Sequence, residues 1–208
     1  MKIASLFSLF SAVALASALA ASAEQAGKAT FVIAGGFGFP TAPTEFSEYW
    51  KMGFGGGVGA DISAGRAVSY TFDLDFSNFP FNEDRFLAKD GPSPPGKAVE
   101  REGGSRTTML GLMGVKFHMP EAAVARPYLL LAAGLGHIST ADATDSDGVY
   151  LQGSRKNKAA LAAGGGVHVH PGGSGLGYVV SVRWVWLKRI NTGGETTSIV
   201  PIRLGVTF

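Results

Sequence analysis

Eight ionisable residues recur in a sequence that otherwise spends little on charge: Lys51, Asp61, Asp73, Asp75, Lys116, Lys158, Arg183 and Arg203. Each lies in a segment where apolar residues fill every second position, and each falls on the opposite face. A charge held in a narrow, dry interior must meet a counter-charge. Asp73 and Asp75 are therefore expected to pair with Lys or Arg across an enclosed space. A plugged, ion-paired interior is the expectation, and a small conducting pore the alternative.

His137 and Ser139 stand two apart, and Asp142, Asp145 and Asp147 follow. A nucleophilic triad needs a base in reach of the hydroxyl and a carboxylate to orient the base. The acid spacing here is short, so rim positions are the expected role. "DATDSDG" (142–148) partly matches a calcium loop but lacks its distal glutamate. His118, His168 and His170 do not have the spacing of a metal set; His168 is expected to face inward and His170 to sit at a turn. No cysteine is present, so thiolate sites, thiol nucleophiles and disulfides are excluded. No metal and no cofactor is expected.

These residues need a scaffold, and composition constrains it. The 208 residues suit one domain. A net charge of +2 gives no footprint for nucleic acid. Thirty glycines with 16% charged residues, without a G-X-Y period, indicate neither collagen nor disorder. Residues 1–23 read as a cleaved secretory signal: Lys2, an apolar run from Ile3 to Leu19, and Ala21-Ser22-Ala23 before Glu24. The domain then occupies 24–208. No later apolar run reaches 18 residues, which excludes a helical span but not a β-barrel, whose strands need about 10 residues each.

Eight alternating segments follow. They are "ATFVIAGGFGF", "WKMGFGGGVGADI", "AVSYTFDLDF", "RTTMLGLMGVKFH", "PYLLLAAGLGHIS", "KAALAAGGGVHV", "LGYVVSVRWVW" and "SIVPIRLGVTF". The fifth is apolar on both faces, so its register stays open. Short links such as "SAGR", "MPEAAVAR" and "HPGGSG" alternate with long ones, of which Ser77 to Ser105 is the longest. Tight turns at one end and long loops at the other suit an outer-membrane barrel. The longest loop, with its prolines and mixed charges, is expected to be mobile.

Alternation alone does not say which face meets water, since a soluble calyx alternates too. Three features favour an apolar exterior. The polar face is mostly Gly, Ala, Ser and Thr, which suits a narrow interior rather than a wetted surface. The glycines of the second segment leave room for long side chains. Aromatics fall at two heights: Phe39, Trp50, Phe76 and Trp186 at the long-loop ends, Tyr178 and Phe208 near the tight-turn end, as two bilayer interfaces select. The final phenylalanine has no use in a soluble barrel. Pro201 removes a ladder donor from the last strand and predicts a bulge or an unpaired position.

The order of these segments resembles the OmpA/OmpX-like superfamily of bacterial outer-membrane barrels. "RPYLLLAAGLGHIS" is similar to its Arg-Pro-Tyr strand with Gly-x-Gly, and "AAGGGVHVHPGGSGLGYVVSVRWVW" to its glycine strand, turn and aromatic strand. "IRLGVTF" is similar to its terminal strand, which the resemblance implies is read by the insertion machinery. The His-x-Ser pair resembles that of lipid A deacylases, also eight-stranded barrels, which would make His137 and Ser139 catalytic.

The expectation is an all-β, eight-stranded antiparallel up-and-down transmembrane β-barrel, exported by its signal to the cell outer membrane. It would be non-enzymatic and monomeric, serving envelope integrity or surface interaction. Its partners would be outer-membrane lipid and lipopolysaccharide, with the insertion machinery engaged through the last strand, and no nucleic acid. The chain as read ends with the barrel, so a cell-wall anchoring role is not expected. The alternatives are a lipid A-modifying enzyme and a soluble periplasmic ligand-binding calyx.

Overall fold

The computed structural model describes residues 27–65, 67–90, 102–119, 124–145, 148–171, 176–189 and 195–208. The signal read at 1–23 lies outside them, as do Asp147 and the centres of several connections. In chain order the elements are β1 (Ala29–Ala42), α1 (Thr44–Tyr49), β2 (Gly53–Ser63), β3 (Val68–Phe79), α2 (Glu83–Asp90), β4 (Glu102–Gly103), β5 (Arg106–His118), β6 (Ala125–Thr140), β7 (Ala143–Asp145), β8 (Gly148–Leu151), β9 (Ser154–Val169), β10 (Gly177–Arg189) and β11 (Thr197–Thr207).

Eight of these strands close on themselves in the order β1-β11-β10-β9-β6-β5-β3-β2, every pair antiparallel. Closure removes the exposed edges that an open sheet would offer. Following paired residues once round, the path runs Thr30, Asp61, Thr71, Gly114, Ala132, Ala162, Val185, Ile199 and back to Pro40. It returns to β1 ten residues from its start. That stagger tilts the strands by about 40° and leaves an interior that side chains can fill.

The two faces are inverted relative to a water-soluble protein. Outward positions carry exposed apolar side chains, among them Phe37, Phe54, Leu74 (64%) and Leu204 (64%). Inward positions carry buried polar ones, including Lys116 (1%), Asp73 and Arg203. The fifth segment, open in the sequence, is fixed by its partners: Tyr128, Leu130 and Ala132 of β6 point inward, while Leu129 and Leu131 point out.

Pro201 resolves as an unpaired position rather than a bulge. Its pairing with Gly38 of β1 is continuous with its neighbours. On the β10 side the ladder stops at Val182↔Ile202 and resumes at Val185↔Ile199 in the same register. The missing donor thus faces β10.

The long connections gather at one end, as their lengths suggest, but their described parts are folded. The expectation of a mobile 77–105 loop fails there. β3 continues to Phe79, α2 follows, and their aromatics pack with those of α1. The described part of the "DATDSDG" stretch is folded. Its residues enter a three-stranded sheet, β4-β7-β8, and the Asp142 carboxylate accepts the Gly153 N–H at 2.6 Å. No metal-binding group occurs among the described residues.

Candidate functional site

The strands bring most of the predicted charges together inside the barrel, in tiers. Lowest, Lys116 of β5 donates to both carboxylate oxygens of Asp61 on β2 at 2.7 Å. His168 of β9 stands 3.8 Å from the same carboxylate, and His118 is hydrogen bonded to Ser69 at 2.7 Å. In the middle, Arg183 of β10 donates to Asp73 at 2.9 Å and Asp75 at 3.4 Å, both on β3. Arg203 of β11 donates to Asp75 as well. Two carboxylates thus meet two guanidiniums from the facing wall, and low local dielectric strengthens each pair.

The glycines of β2 make this possible. A Cβ at Gly57 would overlap the Asp75 carboxylate and crowd Arg203, and one at Gly59 would overlap Asp73. Across the barrel, a Cβ at Gly166 would meet the Tyr128 hydroxyl at 2.7 Å. The cavity left among Asp73, Asp75, Lys116, Tyr128 and Arg183 is about 20 Å³, on the order of one water. A ligand-binding calyx needs a roomy apolar cavity, whereas this one is small and lined by charged and hydroxyl groups.

Above the ion pairs the interior turns apolar. Leu110, Ile138, Val185, Leu187 and Ile199 are buried there. Lys158, placed in the ion-pair set from its spacing, rises to this upper level, where it donates to the Thr197 hydroxyl at 2.7 Å and the Glu195 carbonyl at 3.1 Å.

A cap closes the upper end. Phe46 of α1 lies against Phe79 and Trp50, with ring centroids 5.2 and 5.7 Å apart. Trp50 meets Phe81, Phe81 meets Phe86, and Phe86 meets Tyr49. The Arg106 guanidinium lies over Phe46 at 4.3 Å and Trp50 at 5.3 Å, a cation–π arrangement. Trp50 Nε1 donates to the Gly104 carbonyl at 2.9 Å. Gly103 and Gly104 both take positive φ, +100° and +72°, where a side chain would be strained.

Two predicted positions are corrected. Lys51 is exposed, not inside: β2 starts only at Gly53, so the alternation does not yet apply at residue 51. Trp50 is not an outward girdle residue; it is buried in the cap because its indole has both an aromatic cluster and a carbonyl to satisfy it. Phe39, Phe76, Tyr178, Trp186 and Phe208 do lie exposed on the outward face. His137 and Ser139 share an outward face at the upper rim. The hydrogen bond His137 makes is with the Asn157 amide, at 2.7 Å, not with a carboxylate.

The cap is what sequence reasoning missed. Its signal was present: "TEFSEYW" and "FPFNEDRF" load two connections with aromatics that a solvated loop has no use for.

A closed eight-stranded antiparallel barrel with an apolar exterior and a filled polar interior has the outer-membrane β-barrel fold. No family model matches the chain, and no curated protein does. Among solved structures it is similar to Neisserial surface protein A, at 12% identity over 86% of this chain and 95% of that one, TM-score 0.58. It is also similar to a major outer membrane protein from Thermus thermophilus, at 12% identity over 87% and 99%, TM-score 0.56. The third is Ail, the attachment invasion locus protein of Yersinia pestis, at 13% identity over 88% and 100%, TM-score 0.50. At these identities the likeness is one of fold.

Proposed function

We propose that this chain is a non-enzymatic, non-conducting protein of the outer membrane that acts through its folded outer cap. The observation that carries this is the continuous filling of the interior. It runs from the Lys116–Asp61 pair, through the arginine–aspartate pairs, to the buried rings of Phe46 and Phe79. A wall with apolar residues outside and paired charges inside suits a hydrocarbon solvent. A solute path needs a wetted interior, and a hydrolase needs a base oriented by a carboxylate; neither arrangement is formed among the described residues.

In this reading, residues 1–23 direct export and are removed, and the β11 strand serves as the signal for insertion. The protein works as a monomer in contact with outer-membrane lipid and lipopolysaccharide. Its contribution is to envelope integrity or to surface contacts made by α1, α2 and the β4-β7-β8 sheet.

Planar-bilayer recording of the refolded protein tests the plug. No discrete conductance steps are expected. Stable porin-like steps in the unaltered protein would overturn the sealed-lumen reading. Incubation with lipid A should release no fatty acid, and release abolished by Ser139→Ala would restore the enzyme.

A further inference from the structure

A groove of about 350 Å³ opens on the outer wall at the upper end of β1 and β2. Its floor is apolar: Phe39 and Met52, both exposed, backed by Trp50. Above the floor stand Lys51, Arg85, Asn82 and the Ser47 hydroxyl. The lining has two cations and no carboxylate.

The placement of these groups is built into the backbone. Lys51 N–H donates to the Pro80 carbonyl at 2.9 Å, and Asn82 N–H to the Tyr49 carbonyl at 2.6 Å. Trp50 and Phe81 form a bridge between them. These bonds tie the segment bearing Lys51 to the start of the helix bearing Arg85. Directly below, Phe37 and Phe54 are paired on the outward face and more than half exposed. The groove therefore sits where the apolar wall ends, with cations and hydrogen-bonding groups just above it.

We infer that this groove holds the phosphorylated sugar headgroup of an acylated glycolipid in the outer leaflet; the inference rests on the outer-membrane reading above. The chemistry matches in three parts. Lys51 and Arg85 meet phosphate oxygens through charge-assisted hydrogen bonds. Asn82 and Ser47 offer partners for sugar hydroxyls. Acyl chains descend along Met52, Phe54 and Phe37. The outward upper positions of β3 and β5, such as Asn78 and Thr107, are uncharged. Arg155 and Lys188 are exposed cations on β9 and β10, separated from β1 by at least the β11 strand, and supply an internal control.

The test is native mass spectrometry of the purified detergent-solubilised protein. Three probes are used: bis-phosphorylated lipid A, the same lipid after phosphate removal, and phosphatidylglycerol. Retention of the bis-phosphorylated lipid at least tenfold above both others is expected. K51Q/R85Q should lose at least tenfold, while R155Q/K188Q stays within twofold of the unaltered protein. Equal retention of the dephosphorylated lipid or of phosphatidylglycerol, or undiminished binding by K51Q/R85Q, would overturn the site. Heat-shifted gel mobility of each variant reports folding separately. If the unaltered protein shows no heat shift, the outer-membrane reading fails, whereas a folded protein without lipid preference loses only this site.

Discussion

Phe31 and Phe208 join the first and last strands by a reciprocal pair of backbone bonds. Phe31 N–H donates to the Phe208 carbonyl at 2.8 Å, and Phe208 N–H donates back at 3.1 Å. Their rings lie 6.1 Å apart, and Phe208 is exposed on the outward face. The terminal phenylalanine is thus the last rung of the closing seam. Phe208→Asp should cost about 2 kcal/mol by removing an apolar side chain from the outer wall. The folded fraction in lipid vesicles, read by gel mobility, should fall, with Phe208→Tyr close to the unaltered protein.

Neighbouring positions on β3 should respond in opposite ways. Asp73 is buried against Arg183, while Phe72 faces outward. Asp73→Leu leaves that guanidinium with only the longer Asp75 contact, and should cost about 3 kcal/mol. Phe72→Leu keeps an apolar outward side chain and should cost less than about 1.5 kcal/mol. Urea unfolding in vesicles measures both. Normal folding of Phe72→Asp would show that the faces are assigned the wrong way round.

The glycine cradle predicts a contrast between two alanines. At Gly57 a new methyl would overlap the Asp75 carboxylate and the Leu74 carbonyl. At Gly35 it would meet only the Gly55 carbonyl, at an ordinary 3.7 Å. Gly57→Ala should destabilise the barrel by about 1–3 kcal/mol, as overpacking does. Gly35→Ala should be neutral or slightly stabilising. The same unfolding assay separates them.

The cap should open without the barrel. Trp50→Ala removes the indole that packs on Phe46 and Phe81 and bonds the Gly104 carbonyl. Truncating so buried an aromatic costs about 3–5 kcal/mol, and the loss falls on α1, α2 and the loop at Gly104. Backbone amide exchange should speed up in residues 44–50 and 80–86, while β5, β6 and β9 keep their protection. Uniform loss of protection would show that the cap and the barrel unfold as one unit.

The barrel was legible because alternation of period two has one structural meaning once its length and turn spacing are set. Asp61, Asp73, Asp75, Lys116, Arg183 and Arg203 could be assigned inward from their opposite parity to apolar residues of the same strands, Val58, Phe72, Val115, Val182 and Leu204. Their partners could not be named, since pairing across the lumen depends on the ten-residue stagger, which no single strand reveals. Lys51 and Trp50 were misplaced because alternation was extended past the point where the strand begins. The buried Leu110, Ile138 and Leu187 were hidden by the opposite problem. In β6, and at the upper ends of β5 and β10, both faces are apolar, so parity carries no contrast there.

Every prediction above depends on a closed barrel held in a bilayer with its apolar face outward. Envelope fractionation combined with gel mobility before and after boiling in detergent tests it most directly. The protein is expected in the outer-membrane fraction, with an unheated band that shifts on boiling. A soluble periplasmic protein of unchanged mobility would contradict it.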